Sequence, residues 1–451
     1  MDELNLLADA DARGRRYTGG IAARRVFPTN EAISALNGLD EPLPAQGLPA
    51  EETLARLDDI GSPATTASNG PRYFGFMIGA ALPVAAAAER LMLAWDQCAS
   101  TFDNSPVAAA IERIAGRWIL DVLDLPRDSA VGFGTSASAC TLGALVAARR
   151  ALLAQQGWDF DRQGLHGAPE IRVVVPDLVR ITVRKALRIL GFGLDRIVHA
   201  PVDAYGRVDP TRLPALDDRT ILCLQAGEVN TGEFDPFAQI VPRARQAGAW
   251  VHVDGAFGLW ARASAHAALT ECIEQANSWT TDAHKWLNTP YDCAMTICRD
   301  ASALSEAMNS DAVYLAGNTD AQKNLTLEFS RRARGIPVWA ALRTLGRSGV
   351  AELVEHHCAQ ARRVSEGLVR AGFEVLNRVL LNQVLFRCKT DAQTHAVRAT
   401  VQASGEAWFG GTVWQGRPAL RISLSSWRTR DQDVDALIDL LAGIHAKAGE
   451  D

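Results

Sequence analysis

Between residues 170 and 300 the hydrophobic positions fall alternately into short unbroken runs and longer stretches of helical period. The runs at 171–175, 197–198, 221–225 and 250–253 read as buried strands. The stretches at 182–190 and 242–247 read as helices, and 294–298 adds a further strand. Strands with no polar alternation are covered on both faces, and strands that alternate with helices build a mostly parallel sheet. Upstream, 84–95 and 106–123 are helical, the second with Ala109, Ile111, Ile114, Trp118, Ile119 and Val122 on one stripe. Val131-Gly132-Phe133-Gly134-Thr135-Ser136-Ala137-Ser138 leads into a long helix through Arg150. Downstream, helices are expected at 340–345, 350–371, 391–403 and 431–446, and strands at 373–376, 384–387 and 419–424.

These elements predict an α/β protein in three parts: an N-terminal helical and extended segment (1–65), a large sheet domain (66–310), and a loop with a small α+β domain (311–451). Composition narrows the class. A hydrophobic content of 48% and a charged content of 22% are those of a globular protein, and a net charge of −6 argues against nucleic acid as a partner. The first residues are acidic and polar, the apolar run 80–88 is too short to cross a bilayer, and eight cysteines lack a C-x-x-C pair. A cytoplasmic protein with reduced thiols, no membrane association and no metal site is therefore expected.

One lysine stands apart from the solvated kind. Lys285 sits between His284 and Trp286 in a segment without neighbouring lysines. A lysine in a dry pocket loses its proton more easily, and the neutral amine attacks aldehydes. Such chemistry calls for a cofactor that accepts electrons, and pyridoxal phosphate is the usual one. Two further features agree. Asp254 follows the run Trp250-Val251-His252-Val253, at the strand end where ligands collect in parallel sheets. The small residues around Ala137 and Ser138 open a helix whose first N–H groups suit an anion.

Together these motifs resemble the fold-type-I pyridoxal-phosphate enzymes, and among them the group II amino-acid decarboxylases. The most specific part is Ser278-x-x-x-x-x-x-Lys285 with His284 and Trp286 as flanks, and Asp254 lies 31 residues earlier in His252-Val253-Asp254-Gly255-Ala256. The resemblance implies an aspartate-aminotransferase-like large domain with a sheet of the seven-stranded type, pyridoxal 5'-phosphate as cofactor, and a homodimer with shared active sites. It implies that Lys285 holds the cofactor as a Schiff base and that Asp254 pairs with the ring nitrogen. Ala256 packs under the ring, Ala137, Ser138 and His284 contact the phosphate, and Asn230 and Thr231 lie near the cofactor. Arg421 on a C-terminal strand is a candidate carboxylate ligand. Tyr73 and Phe76 are candidate pocket walls.

Two departures bear on the chemistry. The histidine that the family stacks on the cofactor is replaced by Arg180, a group that can stack or bind a carboxylate but cannot shuttle protons. The loop tyrosine credited with protonating Cα has its place near Gln322, and the nearby Tyr314 is not assigned that role. The expected activity is a lyase acting at Cα of an L-amino acid, a decarboxylase in the first instance. An aldol-type lyase, aminotransferase or oxidative deaminase is the alternative, and a non-catalytic cofactor-binding scaffold comes last.

Overall fold

The computed structural model describes residues 2–309 and 321–447. It divides into two compact units, one of Ala81–Arg362 with Leu376–Val384, the other of Met1–Ala80, Arg363–Val375 and Leu385–Asp451. The division differs from the one expected at residues 65 and 310. No residue of the N-terminal helix Glu3–Gly20 is buried, so segment 1–65 has little core of its own and shares a unit with the C-terminal elements. The two helices expected at 340–345 and 350–371 lie within Gly335–Arg370, parted at Gly346, whose positive φ of 61° is open to glycine without strain.

The larger unit is built on a seven-stranded sheet: β1 (Ala130–Gly134), β2 (Arg172–Pro176), β3 (Val198–Ala200), β4 (Thr220–Gln225), β5 (Trp250–Asp254), β6 (Ser278–Asp282) and β7 (Ala294–Cys298). The order is β1-β7-β6-β5-β4-β2-β3. Pairs β2–β3, β2–β4, β4–β5 and β5–β6 are parallel, and β7 runs antiparallel to both its neighbours. Every residue of β4, β5, β6 and β7 is buried, as strands covered on both faces require. Helix Ala137–Gln155 is long and apolar enough to cross a membrane by composition alone. Here it covers the sheet instead, its Leu145, Ala148 and Leu152 in one core with Val173, Ile221 and Trp250.

Two elements differ from the sequence pattern. β6 was not expected as a strand, because Ser278-Trp279-Thr280-Thr281-Asp282 has one large apolar residue among polar ones. The polar groups are accommodated by local bonds: Ser278 Oγ lies 3.0 Å from Trp250 Nε1 and 2.9 Å from His252 Nδ1, and Thr280 Oγ1 3.3 Å from Thr141 Oγ1. The helix expected at 242–247 begins at Phe237 and carries Pro242 inside it.

The smaller unit contains a four-stranded sheet of β8 (Glu374–Val375), β9 (Gln383–Arg387), β10 (Gly410–Trp414) and β11 (Arg417–Ser423), in the order β10-β11-β9-β8. Helices Asp391–Ser404 and Asp431–Lys447 accompany it. Tyr73 stacks on Trp408 with ring centres 4.9 Å apart and planes within 5°, and burial pushes its phenol up to about 12. Phe76 is exposed, with its ring 5.3 Å from Trp408. Between them Gly75 passes so close that a Cβ there would stand 2.1 Å from the Trp408 ring. Arg421, opposite Gly410 on β11, is 9% exposed.

Candidate active site

Asp254 ends β5 opposite Thr280 of β6, and Asp282 ends β6 two residues further along the parallel pair. The chain turns sharply after β6, and Lys285 comes to rest in that turn. Its carbonyl accepts Asn288 N–H at 3.2 Å, and Asn288 Nδ2 donates to Trp286 O at 2.6 Å. Trp286 is anchored in the core by its Nε1–H to His357 Nδ1, 3.0 Å away. A lysine on so fixed a backbone presents its amine in one direction.

That amine is buried and lies 2.7 Å from Asp282 Oδ2. Burial lowers the Lys285 pKa, with the charge of Arg180 adding to it, while Asp282 opposes the fall. For Asp282, burial alone would raise the carboxyl, but Lys285, His284 and Arg180 hold it below its ordinary value. The other oxygen of Asp282 accepts the N–H of Ala137 at 2.8 Å, the first residue of helix Ala137–Gln155. Asp282 was not singled out from the sequence. The signal that found Asp254, a carboxylate ending a buried strand, applied equally to it once β6 is recognised as a strand.

His284 accepts the Cys293 N–H on Nδ1 at 3.2 Å, so its proton sits on Nε2, 3.7 Å from Asp282 Oδ1. Burial lowers its pKa, and Asp282 opposes the fall. Ser136 caps the helix start, accepting the Ala139 N–H, and the half-buried Ser138 follows Ala137 in the first turn.

Asp254 is 1% exposed. Its Oδ1 accepts Ala256 N–H at 3.1 Å and lies 3.2 Å from Arg180 Nη1, whereas Oδ2 is buried with no partner among the described residues. A buried carboxylate oxygen without a donor is costly unless a ligand supplies one. Ala256 is fully buried. Lys285, Asp254, Arg180, Ala137, Ala256 and His284 thus gather as expected. Asn230 and Thr231 do not join this set of bonds. Their backbone N–H groups, with the Asn230 amide and the Thr231 hydroxyl, turn to Glu228 and fix the loop after β4. Tyr73, Phe76 and Arg421 belong to the smaller unit described above. Gln322 is 7% exposed, its Nε2 without a partner among the described residues, and Tyr314 lies outside them.

A buried amine and a carboxylate oxygen kept for an outside N–H suit a flat, cationic, aldehyde-bearing ring. They fit the cofactor of the fold-type-I pyridoxal-phosphate enzymes, whose phosphate would meet the start of the helix. Residues 34–389 match the pyridoxal-dependent decarboxylase conserved domain. The chain is 28% identical to tryptophan decarboxylase 1 of Oryza sativa subsp. japonica, over 88% of this chain and 85% of that one. It is 27% identical to L-2,4-diaminobutyrate decarboxylase of Rhizobium meliloti (strain 1021), over 93% and 88%. The fold superposes on Oryza sativa TDC with PLP and tryptamine at a TM-score of 0.90, with 24% identity and 98% and 97% of the two chains covered. The chain belongs to the pyridoxal-dependent decarboxylase family. It is a pyridoxal-phosphate-dependent amino-acid decarboxylase.

Proposed function

We propose that Lys285 is the covalent anchor of the cofactor and Asp254 the partner of its ring nitrogen, in an enzyme that removes the α-carboxylate of an L-amino acid. The observation that carries this reading is the pairing of a buried amine with a buried carboxylate oxygen left without a donor. Pyridoxal phosphate supplies an electron sink for the pair left on Cα when carbon dioxide departs. Burial makes Lys285 readier to shed its proton, while the Asp282 carboxylate at 2.7 Å opposes that loss and orients the amine. Asp254 Oδ2 would accept the ring N–H, and the buried Ala256 offers only a methyl beside it. Ala137 and Ser138 offer N–H and hydroxyl groups to the phosphate at a helix start, where the dipole favours an anion.

The relatives named for tryptophan and for 2,4-diaminobutyrate bracket an aromatic and a basic side chain as substrates. A homodimer in the cytoplasm is part of the proposal. In its support, Leu91, Leu93, Trp95 and Phe102 are exposed within one short stretch of the larger unit, an apolar strip suited to burial between two copies. Sedimentation at a dimer mass is the expected result.

The test is a panel of amino acids (tryptophan, tyrosine, 2,4-diaminobutyrate, glutamate) given to cofactor-loaded enzyme, with carbon dioxide, amine, aldehyde and ammonia followed together. Carbon dioxide matched by amine, and lost in Lys285→Ala, is expected. A second reading follows from the place of the loop tyrosine, which falls near Gln322: without a proton donor there, oxygen takes two electrons and leaves as hydrogen peroxide, and hydrolysis gives aldehyde and ammonia in place of the amine. Repeating the assay without oxygen separates the two, since only the second stops.

A further inference from the structure

Arg180 ends the loop after β2 and stands at the N-cap of helix Ile181–Ile189, its side chain 13% exposed. Its Nη1 shares Asp254 Oδ1 with the Ala256 N–H, at 3.2 and 3.1 Å. Both donors are on one oxygen, and the other oxygen has none. Around Asp254 the charged groups are Arg180 and Lys285, with Asp282 beyond the lysine. His252 on the same strand is pushed down to about 4 by burial and is neutral near pH 7, and the Cys223 thiol is pushed up to about 12.

We infer that Arg180 is a positioning residue that stays on Asp254 Oδ1 while Oδ2 takes the cofactor's ring nitrogen, so that one carboxylate is shared between two cations and the ring nitrogen gives up its proton at lower pH. The inference rests on the cofactor site proposed above. A guanidinium keeps its proton at any working pH. When two cations compete for one carboxylate, the proton that leaves is therefore the ring's. Two effects act in the same direction. The arginine drains negative charge from Asp254, and its own positive charge disfavours a second cation close by. A ring that is protonated less firmly draws less charge from Cα.

The test uses full-length enzyme loaded with pyridoxal phosphate labelled with nitrogen-15 in the ring. The ring resonance is followed from about pH 6 to about pH 9 in wild type and Arg180→Gln. The wild-type ring nitrogen is expected to lose its proton within that window, and the Arg180→Gln midpoint to lie higher by about one pH unit or more. A wild-type resonance that stays protonated throughout overturns the inference, whatever the variant does, so a poorly folded variant does not spare it. Coincident titrations with a raised KM in Arg180→Gln also overturn it, by showing that the guanidinium leaves Asp254 for the substrate carboxylate. Failure of the underlying site reading looks different: wild type takes up no cofactor and shows no visible absorbance.

Discussion

The amine of Lys285 lies 2.7 Å from one oxygen of Asp282, and the other oxygen of that carboxylate accepts the Ala137 N–H at 2.8 Å. A single buried acid thus joins the nucleophile to the start of a helix that follows β1, a strand two places away in the sheet. Asp282 stabilises charge on Lys285 while burial opposes it, and the balance sets how readily the amine becomes neutral.

Replacing Asp282 by asparagine removes the charge and leaves one acceptor oxygen for two donors, the Lys285 amine and the Ala137 N–H. The lysine then loses the group that holds its proton, so its pKa falls further. The pH dependence of cofactor attachment, followed by visible absorbance, is expected to shift to lower pH by about one unit or more. An unchanged profile would show that Asp282 acts only through its hydrogen bonds.

Asp254→Ala removes the acceptor for the ring nitrogen and leaves Arg180 without its carboxylate. Loss of a preorganised electrostatic partner costs roughly 10²- to 10³-fold in kcat. Steady-state kinetics on the best substrate of the panel measures it, with KM expected to change far less than kcat.

His252 gives the protein an acid-sensitive step. Burial holds its folded pKa at about 4, against its ordinary value of 6.5. Between these values the unfolded chain binds the proton and the folded one does not, so stability is lost as pH falls from about 6.5 to about 4. The loss at the lower end is about 3 kcal/mol. The urea midpoint in wild type should therefore drop over this range more steeply than in His252→Gln, which cannot titrate.

In the smaller unit, Gly75→Ala would drive a methyl into the Trp408 ring. The Tyr73–Trp408 stack must open to admit it, at a cost of about 1–3 kcal/mol. A lowered thermal midpoint, with a changed near-ultraviolet signal from the displaced rings, is the expected outcome.

Much of the parallel sheet was legible because β2, β4 and β5 are apolar runs, and Asp254 was found as the polar residue that ends one of them. β6 was hidden by its own chemistry. Thr280 and Thr281 are buried polar residues on a strand with no apolar period, so Asp282 went unnoticed beside the lysine it touches. β10 was missed for a related reason, since two glycines open it. Long-range pairs leave no local trace. Glu112 and Arg331 form a buried bidentate pair at 2.6 and 2.8 Å across 219 residues, and neither carries a pattern that names the other. Asn230 and Thr231 were matched by resemblance alone, and their bonds to Glu228 are another local feature that the spacing does not announce.

The reversed strand β7 has a consequence for how the chain is made. It lies between β1 and β6, and it pairs Gly134 with Ala294 on one side and Asp282 with the same Ala294 on the other. During synthesis β1 emerges some 160 residues before the strand that holds it in the sheet, and until then β1 and β6 both present bare edges. Contacts of such separation form slowly. The bond from Ala137 to Asp282 bridges those two edges, so the lysine pocket is assembled only when residue 298 has left the ribosome. A chain halted before that point would be sticky and unable to hold the cofactor.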